Sequence, residues 1–361
     1  MIEKNIIGRI NEVSGSVVKL DVKDKKILSL LSHDGRIHIS KIAESVRLSK
    51  DSIRYRMRRL RQKGVILKYS PMIDLTQIGY NTYHVLLLID EKNKERTDEF
   101  IKFLVDHPNT KTLMQYTSQW DINWGLVAKD VREFDEVVSE VMDKFKDIIK
   151  EKDSLEIIRG YHSINLPNKF YNETKKIFKP IIKKTTKTKI DEKDIKILRE
   201  LCEDSRTSSY NIATKTGMSP DSVIYRIKKM HKSNFIRRFT TVINLTSINY
   251  HLYTLCMDLK TLNKKDDSRL MEFVTNHPHI IRTVRVLGDW DIMMMIATEN
   301  TKEFHNTVKQ IKDEFVDLII SYQTWFGYKE HCYYTLPKIV STETSSYQQE
   351  QHETPSSHPK L

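Results

Sequence analysis

Apolar residues recur at two different periods along the chain, and the change of period divides it into segments. Between residues 21 and 62 the spacing is helical and predicts three short helices: one capped by Asp21, one beginning near Ile39, and one that Ser49 caps and that runs over 50–62. After residue 80, strand-like and helical runs alternate in the order β-α-β-β-α-β, which predicts a ferredoxin-like sheet. The predicted runs are 83–89 (strand), 98–105 (helix), 112–116 and 121–128 (strands), 134–149 (helix) and 156–162 (strand).

This whole pattern occurs twice, at a constant offset of 170 residues. His107-Pro108 returns as His277-Pro278, and Trp120-Asp121 returns as Trp290-Asp291. The register holds without a gap from 20–167 against 190–337, so the chain is a tandem duplication. In the second copy the predicted runs are 253–259, 269–274, 283–287, 291–297, 304–315 and 318–325.

The predicted fold class is therefore α+β, with two tandem units, each a winged helix-turn-helix followed by a ferredoxin-like βαββαβ domain. We expect one chain to form an intramolecular pseudo-dimer with its two sheets facing each other, and assembly into a higher homo-oligomer stays open. The predicted segments are 1–19 (N-terminal extension), 20–80 (first helix-turn-helix), 81–167 (first sensing domain), 168–189 (basic linker), 190–250 (second helix-turn-helix), 251–339 (second sensing domain) and 340–361 (a polar tail expected to be disordered).

The third helix of each unit has the basic side chains that indicate a DNA-binding function. In the first unit Ile53, Met57 and Leu60 form one apolar stripe, and five arginines lie between residues 54 and 61 with one nearby acid, Asp51. A merely solvated face would mix in glutamate, so the pattern predicts a recognition helix for the DNA major groove. The predicted DNA-contacting residues are Ser49, Lys50, Ser52, Arg54, Tyr55, Arg56, Arg58 and Arg59 in the first unit, and Ser219, Ser222, Tyr225, Arg226, Lys228 and Lys229 in the second.

Composition agrees with a double-stranded DNA partner. Lysine and arginine number 60 against 48 acidic residues, a formal net charge of +12 over 361 residues. The longest aliphatic run, 85–89, has five residues, and the N-terminus has no apolar signal segment, so we expect no membrane association and a cytoplasmic location. The three cysteines lie far apart, and we predict no metal site and no cofactor.

At this point the chain resembles the Lrp/AsnC, or feast/famine, transcription regulators. The resemblance is carried by the opening D-x-x-D-x-x-I-L of each unit, by SPDSVIYRIKKM at 219–230, by His277-Pro278, and by the sequence GDWD at 288–291. It implies that the second domain of each unit is an amino-acid-sensing module, which dimerises through its sheet and binds small effectors, often amino acids, near the interface.

The resemblance implies an effector site at Gly288, Asp289 and Asp291. A Gly-Asp turn offers backbone N–H groups and a carboxylate for the two charges of an α-amino acid, but the same dipeptide is also a common hairpin turn. The corresponding positions of the first unit read Ser118, Gln119 and Asp121, so that unit lacks the glycine and the first aspartate.

Two other function classes stay open beside a sequence-specific regulator. Some haem-biosynthesis decarboxylases resemble the same architecture and occur as fused pairs, but the corresponding sheet segments here, 113–124 and 284–294, offer Tyr116 and no histidine. A decarboxylase also has no need of five arginines on a third helix, so we expect no enzymatic activity. A general chromatin-coating protein would differ only in its ratio of specific to non-specific affinity.

Overall fold

The computed structural model describes residues 8–11, 17–171 and 188–340. Most of the N-terminal extension and of the basic linker lies outside these residues, as does the predicted disordered tail except its first residue, Val340, which is buried. Residues 168–171, at the start of the predicted linker, form one short helical turn.

The first unit has the helices and strands that the sequence predicts. Each unit also has one strand that the sequence did not predict. Its elements are α1 (Val22–His33), α2 (Ile39–Val46), α3 (Lys50–Gln62), β1 (Ile66–Ile73), β2 (Asn81–Ile89), α4 (Lys94–Asp106), β3 (Thr110–Thr117), β4 (Ile122–Ala128), α5 (Val131–Phe145), β5 (Ile149–Ser163) and α6 (Asn168–Tyr171). The helix expected over 134–149 ends four residues early, because the chain from Ile149 onward is already extended.

The second unit repeats this order. Its elements are α7 (Glu192–Glu203), α8 (Ser209–Thr216), α9 (Pro220–Lys232), β6 (Ile236–Ile243), β7 (His251–Leu259), α10 (Lys264–Asn276), β8 (Ile280–Leu287), β9 (Ile292–Thr298), α11 (Thr301–Glu314) and β10 (Ile319–Tyr333). His107 and His277, each followed by a proline, end α4 and α10 as C-caps.

The two strands that the sequence did not predict, β1 and β6, pair with each other in an antiparallel ribbon between the units. Each helix-turn-helix packs on the ribbon strand of the other unit, α1 against β6 and α7 against β1. The Thr240 and Thr241 hydroxyls of β6 donate to the last-turn carbonyls of Ser32 and Leu31 in α1, at 2.8 and 2.9 Å. The ribbon therefore joins the two DNA-binding domains.

The eight remaining strands close into one barrel, in the order β10-β3-β4-β2-β5-β8-β9-β7. Both junctions between the units are made by long strands. The first half of β5 pairs with β2 of its own unit and the second half with β8, while β10 pairs with β7 and then with β3. The two sheets therefore face each other across the barrel interior, as expected, and are in addition joined edge to edge, which leaves neither sheet with an open edge.

Helices cover the outer faces of the barrel, where large aromatic side chains such as Trp124, Phe100 and Phe145 are buried. The barrel interior holds a second core that includes Leu86, Met293 and Trp325. No helix within 8–11, 17–171 and 188–340 is long and apolar enough to cross a membrane.

Candidate nucleic-acid interface

The capping and the apolar stripe of α3 determine which side chains it presents to solvent. The Ser49 hydroxyl accepts the Ser52 backbone N–H at 3.1 Å, and Ile53 and Leu60 are fully buried against the other helices. The opposite face is therefore exposed, and Tyr55 leaves 65% of its surface in water. The predicted DNA-contacting residues that are exposed on this helix and at its cap are Ser49, Lys50, Arg54, Tyr55 and Arg58.

Helix α9 has the same construction with different chemistry. Ser219 caps it, Pro220 occupies its first position, and Tyr225 is 68% exposed. At the position of Arg54 the second unit has Ile224, which is 38% exposed. Lys228 and Lys229 are also exposed, and Ser222 is half-buried like Ser52.

Arg56 and Arg226 do not project into solvent, although the sequence placed them among the DNA-contacting residues. The Arg56 guanidinium contacts Asp21 and Asp24 at 2.7 and 2.8 Å, at the N-terminus of α1. Arg226 makes the equivalent contacts with Asp191 and Asp194 at 2.8 and 2.7 Å. Both guanidinium groups thus hold the recognition helix against the first helix of the same unit, which makes them poor candidates for base contacts.

The acids around α3 explain why the sequence overestimated its free charge. Burial alone would raise the pKa of Asp21, but hydrogen bonds from the Asp24 amide and from Arg56 lower it overall. Arg59 also contacts Asp24, and Arg61 reaches Asp204 of the other unit at 3.2 Å. These acids are distant in sequence or belong to the other unit, so a count of neighbours along α3 misses them.

Two of the five arginines, Arg54 and Arg58, are exposed and are not held by a buried acid. Arg54 pairs with Asp51 at 2.7 Å, but both side chains are more than half exposed, and such a surface pair contributes little and exchanges readily. Arg58 makes no ion pair with any residue of the described ranges. A phosphate or a base edge can therefore engage either side chain at little cost.

A reciprocal pair of arginines holds the two helix-turn-helix domains in one orientation. Arg36 donates to the Ser205 carbonyl at 2.7 Å, and Arg206 donates to the Gly35 carbonyl at 2.8 Å. Each guanidinium also lies over an aromatic ring of the ribbon. These rings are Phe239 for Arg36, at 5.2 Å, and Tyr69 for Arg206, at 5.4 Å.

The three residues expected to bind an effector lie in the β8–β9 hairpin turn. Gly288 has φ +143°, and a Cβ there would lie 2.5 Å from Leu155 Cδ2 in the first unit, so this position needs glycine. One Asp291 carboxylate oxygen accepts the Leu259 backbone N–H at 2.8 Å, as Asp121 does for Ile89 at 2.9 Å. The aspartate therefore fastens the turn in each unit, as Asp121 in the first and Asp291 in the second, which its recurrence in the sequence reflects.

Asp289 is exposed at the tip of that turn and faces another acid. Burial raises the pKa of Asp153, and the charge of Asp289 raises it further. At the equivalent turn of the first unit the structure opens a groove of about 380 Å³, which the sequence did not indicate. The groove is lined by Glu91, Tyr116, Thr117, Ser118, Asp121, Phe326 and Tyr328.

Known proteins match both halves of this architecture. The model of the AsnC-type helix-turn-helix domain matches residues 190–231, and that of a winged helix-turn-helix DNA-binding domain matches residues 20–66. The HTH-type transcriptional regulator PH0140 of Pyrococcus horikoshii is 31% identical over 140 residues, which are 38% of this chain and 86% of that protein. The chain belongs to the Lrp/AsnC family.

Other relatives agree with this assignment. The leucine-responsive regulatory protein of Rhizobium meliloti is 26% identical over 40% of this chain and 96% of its own length. The transcriptional regulator AzlB of Bacillus subtilis is 27% identical over 33% of this chain and 76% of its own. As a duplicated Lrp/AsnC protein, the chain is a DNA-binding transcription regulator.

One solved structure matches nearly the whole duplicated Lrp/AsnC chain. The siroheme decarboxylase NirDL covers 92% of this chain and 100% of its own, with a TM-score of 0.60 and 12% sequence identity. At that identity the likeness shows the shared fold alone.

Proposed function

We propose that this Lrp/AsnC protein reads DNA with Lys50, Ser52, Arg54 and Tyr55 of α3 and with the first turns of α9. The carrying observation is that the exposed face of α3 bears both basic and aromatic side chains, while its other arginines are engaged with acids. Arg58 and Lys228 lie further along and would contact phosphates. Arg56, Arg59 and Arg226 act as positioning residues, because they fix the helix that carries the others.

A binding comparison tests this assignment. Sites selected from random DNA by the full chain are titrated with wild type, with Arg54→Ala/Arg58→Ala, and with Lys92→Ala, whose exposed lysine lies at the far side of the first sensing domain. We expect the double variant to lose at least tenfold in affinity and the control to change less than twofold. Equal losses in both variants would mean that α3 does not face the DNA.

We further propose that the β8–β9 turn binds an amino-acid effector. The exposed Asp289 carboxylate suits the ammonium group, and the N–H groups of the turn suit the carboxylate, while Asp291 keeps the turn closed. Calorimetric titration of the full chain with each amino acid tests this proposal. Asp289→Asn should abolish the heat of binding, whereas the matched change Gln119→Asn in the first unit should retain it. Heat that survives Asp289→Asn and disappears on altering Ser118 would place the site in the groove of the first unit.

We propose that the protein acts on chromosomal DNA in the cytoplasm and is not an enzyme. A decarboxylase for a tetra-acidic macrocycle needs more space than the cavity inside the barrel, which is about 40 Å³ against roughly 300–1,000 Å³ for ordinary ligand pockets. The larger groove is lined by the carboxylates Glu91 and Asp121, which would repel acidic substituents. Titration with iron-uroporphyrin should leave its visible absorption spectrum unchanged, and a saturable spectral shift would favour the decarboxylase.

A further inference from the structure

A cavity lies inside the barrel where the two units meet, apart from both the DNA-binding helices and the β8–β9 turn. It has a volume of about 40 Å³, room for roughly three water-sized groups. Its polar lining comes from both units and from the N-terminal segment. These residues include Arg9, His84, Thr112, Tyr116, Arg282 and Glu330.

The Arg282 guanidinium lacks a direct acidic partner in this cavity, because Glu330 is paired with Arg9 and its charge acts on Arg282 only from a distance. It makes no hydrogen bond or ion pair with any residue within 8–11, 17–171 and 188–340. Arg9 does not share this deficit, because it contacts the Glu330 carboxylate at 2.6 Å, and Glu330 is almost fully buried. Arg282 is half-buried, and an arginine that faces a cavity inside a barrel normally has a carboxylate or several carbonyl acceptors, since its desolvation is otherwise uncompensated.

This excess of positive charge contributes to lowering the pKa values of two neighbouring basic groups, Lys111 and His84. Burial and the charges of Arg282 and Arg237 lower the pKa of Lys111 to about 7, against the opposing effect of the Asp74 charge. Burial also lowers the pKa of His84 to about 4, again with a contribution from Arg282. The Lys111 ammonium donates to the Thr82 hydroxyl at 3.1 Å, and the His84 ring pairs with the Asn123 side chain at 2.6 Å, so these hydrogen bonds involve no acid.

We propose that this cavity is a binding site for one small anion, an oxyanion or a carboxylate of a few non-hydrogen atoms, held by the Arg282 guanidinium. The hydroxyls of Thr112, Thr254 and Tyr116 line the same space, and since Tyr116 and Thr254 are hydrogen-bonded to each other at 3.0 Å, one of that pair together with Thr112 can donate to the anion. The anion would provide the counter-charge that the chain itself does not.

The duplication shows that the site belongs to the fused chain and not to either unit. At the offset of 170 residues, Arg282 corresponds to Thr112, His84 to Thr254 and Tyr116 to Val286. A symmetric pair of first units would have two histidines and no arginine at these positions. Only the two divergent copies together place one arginine opposite one histidine.

Binding should be coupled to proton uptake, because an anion raises the pKa of any basic group beside it. Sodium sulfate and sodium acetate are titrated into the full chain by calorimetry at pH 7.5 and constant ionic strength, with sodium chloride as the background salt. Repeating each titration in two buffers of different ionisation enthalpy measures the protons taken up. Sulfate represents the inorganic oxyanions and acetate the carboxylates. The anion that binds with the higher affinity therefore shows which of the two classes the site takes.

Arg282→Met is the decisive variant and Arg285→Met its control, since Arg285 lies on the opposite face of the same strand and is half-exposed. We expect Arg282→Met to weaken binding at least tenfold and to remove the proton uptake, while Arg285→Met retains both. Thermal denaturation provides a second measurement, in which Arg282→Met should unfold at a higher temperature than wild type without anion and gain less from sulfate. Equal anion responses in wild type and Arg282→Met, or no saturable binding to wild type, would overturn the proposal.

Discussion

The residues Asp24 and Asp194 show how one carboxylate supports both a helix start and a recognition helix. Each belongs to a capping box, each is 1% exposed as a side chain, and each is contacted by an arginine from the third helix of its unit. Two arginines, Arg56 and Arg59, contact Asp24, whereas the second unit has Lys229 at the position of Arg59. The orientation of α9 therefore depends more heavily on one side chain.

This difference predicts unequal costs of removing the positioning arginines. Arg226→Met leaves Asp194 buried without its ion-pair partner and should lower the free energy of unfolding by about 2 kcal/mol. Arg56→Met should cost less, because Arg59 still contacts Asp24. Urea unfolding measures both, with Lys228→Met as an exposed control that should change little. Equal destabilisation by Arg56→Met and Arg226→Met would show that the contact of Arg59 with Asp24 does not compensate for the loss of Arg56.

The charge of Arg58 predicts a different effect, on DNA affinity alone. If the protein neutralises about six phosphates, log K against log[salt] should have a slope of about −5, and each lost contact should reduce it by about one. Arg58→Ala should therefore give a shallower slope with unchanged sequence preference. Fluorescence anisotropy at a series of salt concentrations measures it. A slope equal to that of wild type would exclude a phosphate contact at Arg58.

Among the elements, β5 and β10 decide the architecture. Each has 15 residues, and each completes the sheet of its own unit before pairing with a strand of the other unit. An isolated unit would leave half of such a strand without a partner, and exposed strand edges associate.

Expression of residues 20–167 alone should consequently give a self-associating species. The second half of β5 would take β3 of another copy in place of β8, since the two strands are equivalent by the duplication. Sedimentation velocity at several concentrations distinguishes the outcomes. A stable monomer across the range would mean that β5 does not need its second partner.

The sequence predicted most elements because each depends on local signals. The capping residues Asp21 and Ser49 and the stripe of α3 set that helix and its neighbours without reference to the rest of the fold. The ribbon was missed because β1 contains Pro71, lacks clean alternation, and pairs with a strand about 170 residues away. The ion pairs of Arg56 and the uncompensated Arg282 were equally invisible, since both depend on which distant residues come together.

At the scale of the whole molecule, the duplication has produced a pseudo-dimer within one chain, and its two halves need not be identical. The ribbon and the Arg36–Arg206 pair hold the two helix-turn-helix domains, and with them the two recognition helices, in one arrangement. A homodimer reads a palindrome because its helices are identical. Among the positions at which the two exposed faces differ, Arg54 corresponds to Ile224, so a charged side chain stands opposite an apolar one. Tyr55 and Tyr225 are the same.

The preferred operator should therefore have two related half-sites that differ where this position meets a base pair. Arginine grips a guanine edge with two hydrogen bonds, whereas isoleucine offers only an apolar contact, such as to a thymine methyl group. Exchanging the two side chains, Arg54→Ile with Ile224→Arg, should move the guanine preference to the other half-site and keep the spacing. Selection from random DNA with wild type, the exchanged protein and Arg54→Ile alone measures this, and the single variant should select a more nearly palindromic site. A fully palindromic site for the wild type, or no movement of the guanine on exchange, would show that these two positions do not read bases separately.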